Sequence, residues 1–182
     1  MSTPTPTPLG LEGVIAVANN KGGCGKTSVC ANLAGLTAAA GIRTLVVDFD
    51  PQGALSVGFG LRAHELDLTI YNLLVERGHD IRDVIQHTRT PNLDLVPANI
   101  DLSAAEVQLV SEVAREQTLQ RVLAPALEHY DVVLIDCPGT IGLMTVAALV
   151  ASDAVITVTQ PTSKELEGIG SLEATIADVA ED

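Results

Sequence analysis

Short, mostly apolar runs that alternate with helical patterns constrain the fold of this 182-residue chain more than any other feature. Five such runs predict strands: residues 13–19, 43–50, 92–96, 131–135 and 154–159. They lack the polar–apolar alternation of a half-exposed strand. Strands that are apolar on both faces belong in a parallel sheet with helices on both sides. We therefore predict an α/β fold with a doubly wound, mostly parallel sheet.

Apolar positions at helical spacing lie between the predicted strands. Residues 27–40 form the first predicted helix, and Gly41 ends it. Two later helices each have one apolar face: Leu119, Val122, Leu123, Ala126 and Leu127 in one, and Leu166, Ile169, Leu172, Ile176 and Val179 in the other. Residues 61–91 are less regular, with short helices predicted at 68–75 and 81–85. We predict a disordered Thr/Pro-rich leader over residues 1–12 and a single domain over residues 13–182.

Charge and cysteine usage limit the possible environment and partners. The chain has 10 Lys and Arg against 23 Asp and Glu, a net charge of −13. That excess works against passive adhesion to DNA or to an anionic membrane. No apolar run is long enough to span a bilayer, and no signal peptide is visible. Cys24, Cys30 and Cys137 form no CxxC pair, which is typical of reduced thiols. We expect a cytoplasmic protein with no membrane partner.

A glycine-rich loop, NKGGCGKT at residues 20–27, lies between the first predicted strand and the first predicted helix. Glycines let successive backbone N–H groups approach phosphate oxygens, and the helix N-terminus adds partial positive charge. Lys26 is placed to reach the β- and γ-phosphates and Thr27 to ligate Mg²⁺. The pattern GxxxxGK[ST] is not fully met, because Asn20 replaces its first glycine and a second lysine, Lys21, follows. We predict a nucleotide-binding loop made of Lys21, Gly22, Gly23, Cys24, Gly25, Lys26, Thr27 and Ser28.

Acidic residues stand at the carboxyl ends of two predicted strands. Asp48 and Asp50 end the second, and the alternation of a strand would put both side chains on the same side of the sheet. Asp136 follows the fourth strand in VVLIDCPG. Ligands of parallel α/β sheets bind outside the carboxyl ends of the strands. Asp136 is therefore a candidate to hold Mg²⁺ through water, with the Gly139 backbone near the γ-phosphate.

These motifs resemble those of the ParA/MinD family of P-loop ATPases. KGGCGKT, with Lys21 and Lys26, is similar to its deviant Walker A motif, and DFDPQG at residues 48–53 is similar to the Walker A′ segment of ParA proteins. VVLIDCPG resembles the Walker B strand, although ParA proteins usually show Pro-Pro-Ser where this chain has Pro-Gly-Thr at residues 138–140. Residues 105–116 and 166–171 also resemble helices of the family.

The resemblance implies ATP and Mg²⁺ as cofactors and an ATP-dependent homodimer. Lys21 would act on the nucleotide held by the other subunit, and Lys26 on the nucleotide of its own. Asp50 would position or activate the attacking water, and Asp48 would support Mg²⁺ through ordered water. Lys21, Lys26 and Asp50 are thus the candidate catalytic residues, and Thr27, Asp48 and Asp136 the candidate metal residues.

The resemblance also implies a partitioning ATPase with a low basal rate, a ParB-type stimulating partner and nucleoid association. ParA proteins have further C-terminal strands and helices, which supply the adenine pocket and much of the basic DNA-binding surface. The resemblance therefore implies that residues 13–182 are the N-terminal portion of a ParA-type P-loop ATPase fold, with its C-terminal part missing. We therefore expect non-specific DNA binding of a longer form, and weak or absent binding by this chain.

Three other classes of protein with this fold are alternatives. A MinD-like positioning ATPase needs a terminal basic amphipathic helix, whereas this chain ends in EATIADVAED. A nitrogenase-iron-protein-like reductase needs cysteines that bridge a cluster between subunits, and their placement here does not fit. A dethiobiotin-synthetase-like ligase stays open, and only the DPQG tract argues against it.

Overall fold

The computed structural model describes residues 11–160 and 163–181, with side chains omitted at 163–168 and 181. Six strands form one sheet in the order β3-β4-β2-β5-β1-β6. Their bounds are β1 Gly13–Ala18, β2 Thr44–Asp48, β3 Gln86–His87, β4 Leu93–Val96, β5 Val132–Asp136 and β6 Ala154–Thr157. All neighbouring strands pair in parallel except β3 with β4. The mostly parallel sheet predicted from the sequence is confirmed.

Helices alternate with these strands along the chain. Their bounds are α1 Lys26–Ala39, α2 Ala54–Gly58, α3 Ile70–Val75, α4 Ile81–Val84, α5 Leu102–Leu109, α6 Thr118–Leu123, α7 Leu143–Val150 and α8 Ser163–Glu181. Gly41, with φ of 82°, follows the end of α1, as predicted. The predicted leader lies outside the described residues, apart from residues 11 and 12.

Both faces of the central strands are buried, which explains why these strands read as continuous apolar runs. On β1, Ile15 and Val17 face the cluster that includes α1, whereas Val14 and Ala16 face the cluster under α3, α5, α6, α7 and α8. Every residue of β2 and β5 is buried. Burial of these alternating side chains on two opposite faces holds helices on both sides of the sheet.

Some helical predictions were wrong in detail. The helix expected over residues 105–116 ends at Leu109, and the chain then turns through Ala114, whose φ is 53°. Leu127, predicted on an apolar face, is 42% exposed. The α-helix stops at Leu123 and a 3₁₀ turn containing Pro125 follows, so the 3.6-residue period no longer places Leu127 toward the core.

The last helix follows the predicted pattern where its side chains are described. Leu172 is fully buried, and Ile176 and Val179 pack against the core. Leu166 lies outside the described side chains. Within the described part of the chain, no helix combines the length and apolar character that a bilayer span requires.

Candidate nucleotide-binding site

Strand order brings three of the predicted motifs to one place. β1 lies beside β5, and β5 beside β2, so these three parallel strands end next to one another at the carboxyl edge of the sheet. The glycine-rich loop follows β1, Asp50 follows β2, and Asp136 ends β5. The backbone of Phe49 donates a hydrogen bond to the Asp136 carbonyl at 3.0 Å, which ties the ends of β2 and β5 together.

The loop after β1 depends on backbone conformations that favour glycine. Gly23 has φ of 77°, and Gly25, the N-cap of α1, has φ of 100°. Both lie in the left-handed region, where a Cβ is strained. No described atom lies within 4 Å of where a Cβ would be at Gly23 or Gly25, so conformation rather than space selects glycine at these two positions. The loop leads directly into the N-terminus of the 14-residue helix α1.

The two lysines of the loop occupy different environments. Lys26, the first residue of α1, is only 6% exposed, and its Nζ donates to the Lys21 carbonyl at 2.7 Å. Its Nζ also lies 4.0 Å from the Cys24 Sγ. The Lys21 residue is exposed at the surface of the loop. The structure therefore buries one lysine within the loop and leaves the other exposed at the loop surface.

Asp48 and Asp136 are paired in register on neighbouring strands, and both are buried. Burial raises the pKa of Asp136 to about 7; the Thr27 hydroxyl and Lys26 lower that pKa, while Asp48 and Asp50 raise it. The Thr27 hydroxyl lies near the Asp136 carboxylate, but neither carboxylate oxygen accepts a well-formed hydrogen bond from any described residue. Burying a carboxylate without hydrogen bonds costs free energy, and binding of a cation or a hydrogen-bond donor would offset that cost.

Asp48 differs from Asp136 because its carboxylate is fully engaged. Its Oδ2 accepts hydrogen bonds from the Ser56 backbone N at 2.8 Å and from the Ser56 Oγ at 2.7 Å. Its Oδ1 accepts from the Asp50 backbone N at 3.3 Å. Burial raises the pKa of Asp48 to about 6, and the Ser56 hydrogen bonds oppose that rise.

The segment after Asp136 packs on the glycine-rich loop. A Cβ at Gly139 would lie 3.0 Å from both the Cα and the N of Gly22. Real Cβ atoms rarely come so close to backbone, so this approach depends on glycine at 139. Two of the predicted segments are therefore in direct contact.

The residues present fit a Mg²⁺ ion. Mg²⁺ keeps several waters and uses one or two carboxylates together with substrate phosphates, so it needs no dedicated cage of protein ligands. The Thr27 hydroxyl and the Asp136 carboxylate, whose oxygens accept no well-formed hydrogen bond from the described residues, provide that kind of site. Among residues 11–160 and 163–181, no cluster of three or more His, Cys, Asp or Glu could hold a metal alone.

The structure brings together most of the residues predicted for the site, but it modifies two expectations. β2 ends at Asp48, so strand alternation does not set the direction of Asp50, whose Oδ1 instead accepts from the Gln52 backbone N at 2.9 Å. Ser28 is exposed. Sequence reasoning missed Ser56, since no local pattern marks a serine whose acceptor is eight residues earlier.

This site has a glycine-rich loop, a buried lysine at the start of the following helix and carboxylates at the ends of the neighbouring strands. These features together define a P-loop nucleotide-binding domain. A profile of the AAA domain family matches residues 12–182. The chain belongs to this family, within the ParA/MinD group of P-loop ATPases, which confirms the resemblance seen in its motifs.

Two relatives show the extent of the match. An uncharacterized protein of Mycobacterium tuberculosis is 51% identical over 179 residues, which are 97% of this chain and 56% of that protein. The sporulation initiation inhibitor protein Soj of Bacillus subtilis is 41% identical over 163 residues, which are 90% of this chain and 64% of Soj. The chain thus spans a little over half the length of these relatives.

A solved structure with the same fold is that of cobyrinic acid a,c-diamide synthase from Mycobacterium smegmatis, with bound ADP and magnesium. It has a TM-score of 0.89 and 36% sequence identity, and the match covers 94% of this chain and 69% of that one.

Proposed function

We propose that this chain is the nucleotide-binding part of a ParA-type partitioning ATPase that binds ATP with Mg²⁺, dimerises around it and hydrolyses it slowly. One observation carries the proposal: three adjacent parallel strands bring a buried loop lysine, Lys26, to the same sheet edge as Asp136, a buried carboxylate with no hydrogen bond from the described residues. The relatives named as partitioning proteins support the cellular role, including a chromosome partitioning protein ParA of Myxococcus xanthus that is 41% identical.

The residues of the chain suggest how the site would work. The backbone N–H groups of residues 22–27 would bind phosphate oxygens, and Lys26 would exchange the Lys21 carbonyl for the β- and γ-phosphates. Thr27 and Asp136 would hold Mg²⁺, with Asp48 behind them. The ion, when bound, neutralises charge that develops on the phosphates. Asp50, half-buried at the edge of the site, would position the attacking water and activate it as a general base. The Gly139 backbone would lie near the γ-phosphate.

The exposed Lys21 suggests a role across a dimer. A cation presented outward beside the phosphate loop could stabilise charge on the nucleotide of a second subunit, as an arginine finger does. Two subunits would then bury two nucleotides between them. A ParB-type partner would stimulate turnover of that dimer.

Replacing Lys21 tests the dimer. We expect Lys21→Ala to bind ATP within a few-fold of the parent but to lose dimerisation with a slowly hydrolysed ATP analogue, because the cation acting in trans is gone. Sedimentation velocity measures the change. Arg62→Ala removes an exposed cation outside the phosphate loop and serves as the control. A Lys21→Ala variant that dimerises like the parent would contradict the role in trans, and a parent that stays monomeric would contradict the dimer.

Binding of duplex DNA is a second property that can be tested on this chain. We expect the 182-residue chain to bind duplex DNA weakly or not at all at physiological salt, even with ATP, since such binding needs cations that neutralise phosphates. Five arginines already have protein partners: Arg43 with Asp131, Arg62 with Glu65, Arg82 with Asp80, Arg115 with the Val110 carbonyl and Arg121 with the Thr118 hydroxyl. Fluorescence anisotropy at two salt concentrations tests this, and tight ATP-dependent binding would disprove it.

A second candidate is an ATP-dependent ligase, which the structural likeness to cobyrinic acid a,c-diamide synthase favours. A ligase couples ATP cleavage to a carboxylic acid substrate. The partitioning proposal instead expects ATP hydrolysis with water alone. Phosphate release that requires an added acid substrate would favour the ligase.

A further inference from the structure

Ser56 joins three separate segments beside the site. It lies in α2, is fully buried, and its backbone N and Oγ both donate to the Oδ2 of Asp48, at 2.8 and 2.7 Å. Its Oγ also accepts a hydrogen bond from the Ala98 backbone N at 3.1 Å. The hydroxyl therefore links the end of β2, the start of α2 and the turn after β4.

The engaged carboxylate of Asp48 contrasts with that of Asp136 in the neighbouring register position. Both Asp48 oxygens accept hydrogen bonds from protein groups, whereas neither Asp136 oxygen does within the described chain. Two buried carboxylates one strand apart thus have different bonding. Asp136 is available to a ligand, and Asp48 is occupied with holding Ser56 and the Asp50 backbone.

The loop between Asp48 and Ser56, residues 50–53, is closed on itself and attached at both ends. The Gly53 backbone N donates to the Asp50 carbonyl at 2.9 Å, and the Asp50 backbone N is bonded to Asp48. Gly53 has φ of 62°, and a Cβ there would lie 2.8 Å from the Ala98 carbonyl oxygen. Asp48 and Ala98, the two residues that Ser56 bonds, thus also lie against the two ends of this loop through other atoms: Asp48 through its Oδ1 and Ala98 through its carbonyl oxygen.

We infer that Ser56 is a positioning residue for Asp50. By bonding the Asp48 carboxylate and the Ala98 amide together, it fixes the loop that carries the Asp50 side chain. This inference rests on the proposed function, in which Asp50 orients the attacking water. It gives Asp48 a role in holding the loop, in addition to the support of Mg²⁺ that the family resemblance implies.

The first test is kinetic. Single-turnover hydrolysis and ATP affinity are measured for the parent, Ser56→Ala, Ser56→Thr and the control Ser103→Ala, which alters an exposed serine of α5. We expect Ser56→Ala to lower kcat on the order of 10- to 100-fold, because small misplacements of a catalytic group cost that much. Its ATP affinity should stay within a few-fold of the parent. Ser56→Thr retains the hydroxyl and should recover most of the rate, and Ser103→Ala should match the parent.

A cycle of variants shows whether Ser56 acts through Asp48. If it does, adding Ser56→Ala to Asp48→Ala lowers kcat little further, because the link is already broken. If the loss of kcat in the double variant instead equals the product of the two single losses, the inference is overturned. Ser56→Cys keeps a polar group at this position, although a slightly larger one, and weakens the hydrogen bonds. It therefore tests the same point if Ser56→Ala does not fold, and its kcat should lie between those of the parent and Asp48→Ala.

Hydrogen exchange separates this inference from the proposed function. The backbone amides of Asp50 and of residues 52–57 should exchange faster in Ser56→Ala and Ser56→Cys than in the parent, with exchange in the rest of the sheet unchanged. Unchanged exchange in this segment would overturn the positioning role. A parent without ATP turnover would instead refute the proposed function, and the exchange measurement would still decide whether Ser56 fixes the loop.

Discussion

Lys26→Ala is expected to abolish ATP binding. Lys26 is buried at the start of α1, with its Nζ held 2.7 Å from the Lys21 carbonyl, so its ammonium is already positioned within the loop that would receive the phosphates. Hydrogen bonds from a cation to phosphate contribute about 1.5–3 kcal/mol each, so losing two of them weakens binding by about 100-fold or more. Isothermal titration calorimetry with ATP and Mg²⁺ measures the loss.

Two controls make the Lys26 result interpretable. The thermal midpoint of Lys26→Ala, followed by circular dichroism, shows whether the variant is folded. Lys21→Ala removes the exposed lysine of the same loop and should retain monomer binding. An affinity of Lys26→Ala within a few-fold of the parent would refute the phosphate-loop assignment.

Asp50→Ala is expected to bind ATP but to turn it over about 100-fold more slowly or worse, which is the usual cost of losing a general base. Asp50 is half-buried and near both buried carboxylates, since it raises the pKa of Asp48 and of Asp136. Any ATP-bound dimer should accumulate in the variant. Phosphate release under single-turnover conditions measures the rate, because the basal rate is low.

The conservative variant separates chemistry from loop shape. Asp50→Asn can still accept the hydrogen bond from the Gln52 backbone N, so the loop is retained while the base is lost. It should be as slow as Asp50→Ala. Glu173→Ala, which removes an exposed carboxylate on α8, should match the parent. Unchanged turnover in Asp50→Ala would move the catalytic role to Asp48 or to another residue.

Much of the fold could be predicted because its central strands are buried on both faces. The continuous apolar runs located β1, β2, β4, β5 and β6 to within two residues at each end. β3 was missed because it contains only Gln86 and His87, which pair antiparallel with β4 at the edge of the sheet and show no hydrophobic pattern. The end of α5 at Leu109 was missed because residues 110–113 contain no glycine or proline to mark it. Ala114, a good helix former, also gave no sign of the left-handed conformation that it adopts after this helix.

The site was predictable where its residues are close in sequence. In the loop at residues 20–27 and in the Asp50–Gly53 turn, the residues that indicate the function lie within a few positions of one another. Ser56 was not predictable, because its importance depends on Ala98, which is 42 positions away and contributes only a backbone amide. Strand order, known only from the structure, brings these groups together.

The close approach of Gly22 and Gly139 makes the space available at one position depend on the backbone at the other. Since a Cβ at 139 would come within 3.0 Å of the Gly22 backbone, a larger residue there requires the phosphate loop to move aside. A residue with a Cβ at 139 therefore fits only when the loop near residue 22 gives way by a few tenths of an ångström. Among relatives, the residue type at 139 should co-vary with the loop conformation rather than drift independently. A family member with proline at that position should hold its two segments further apart than this chain does.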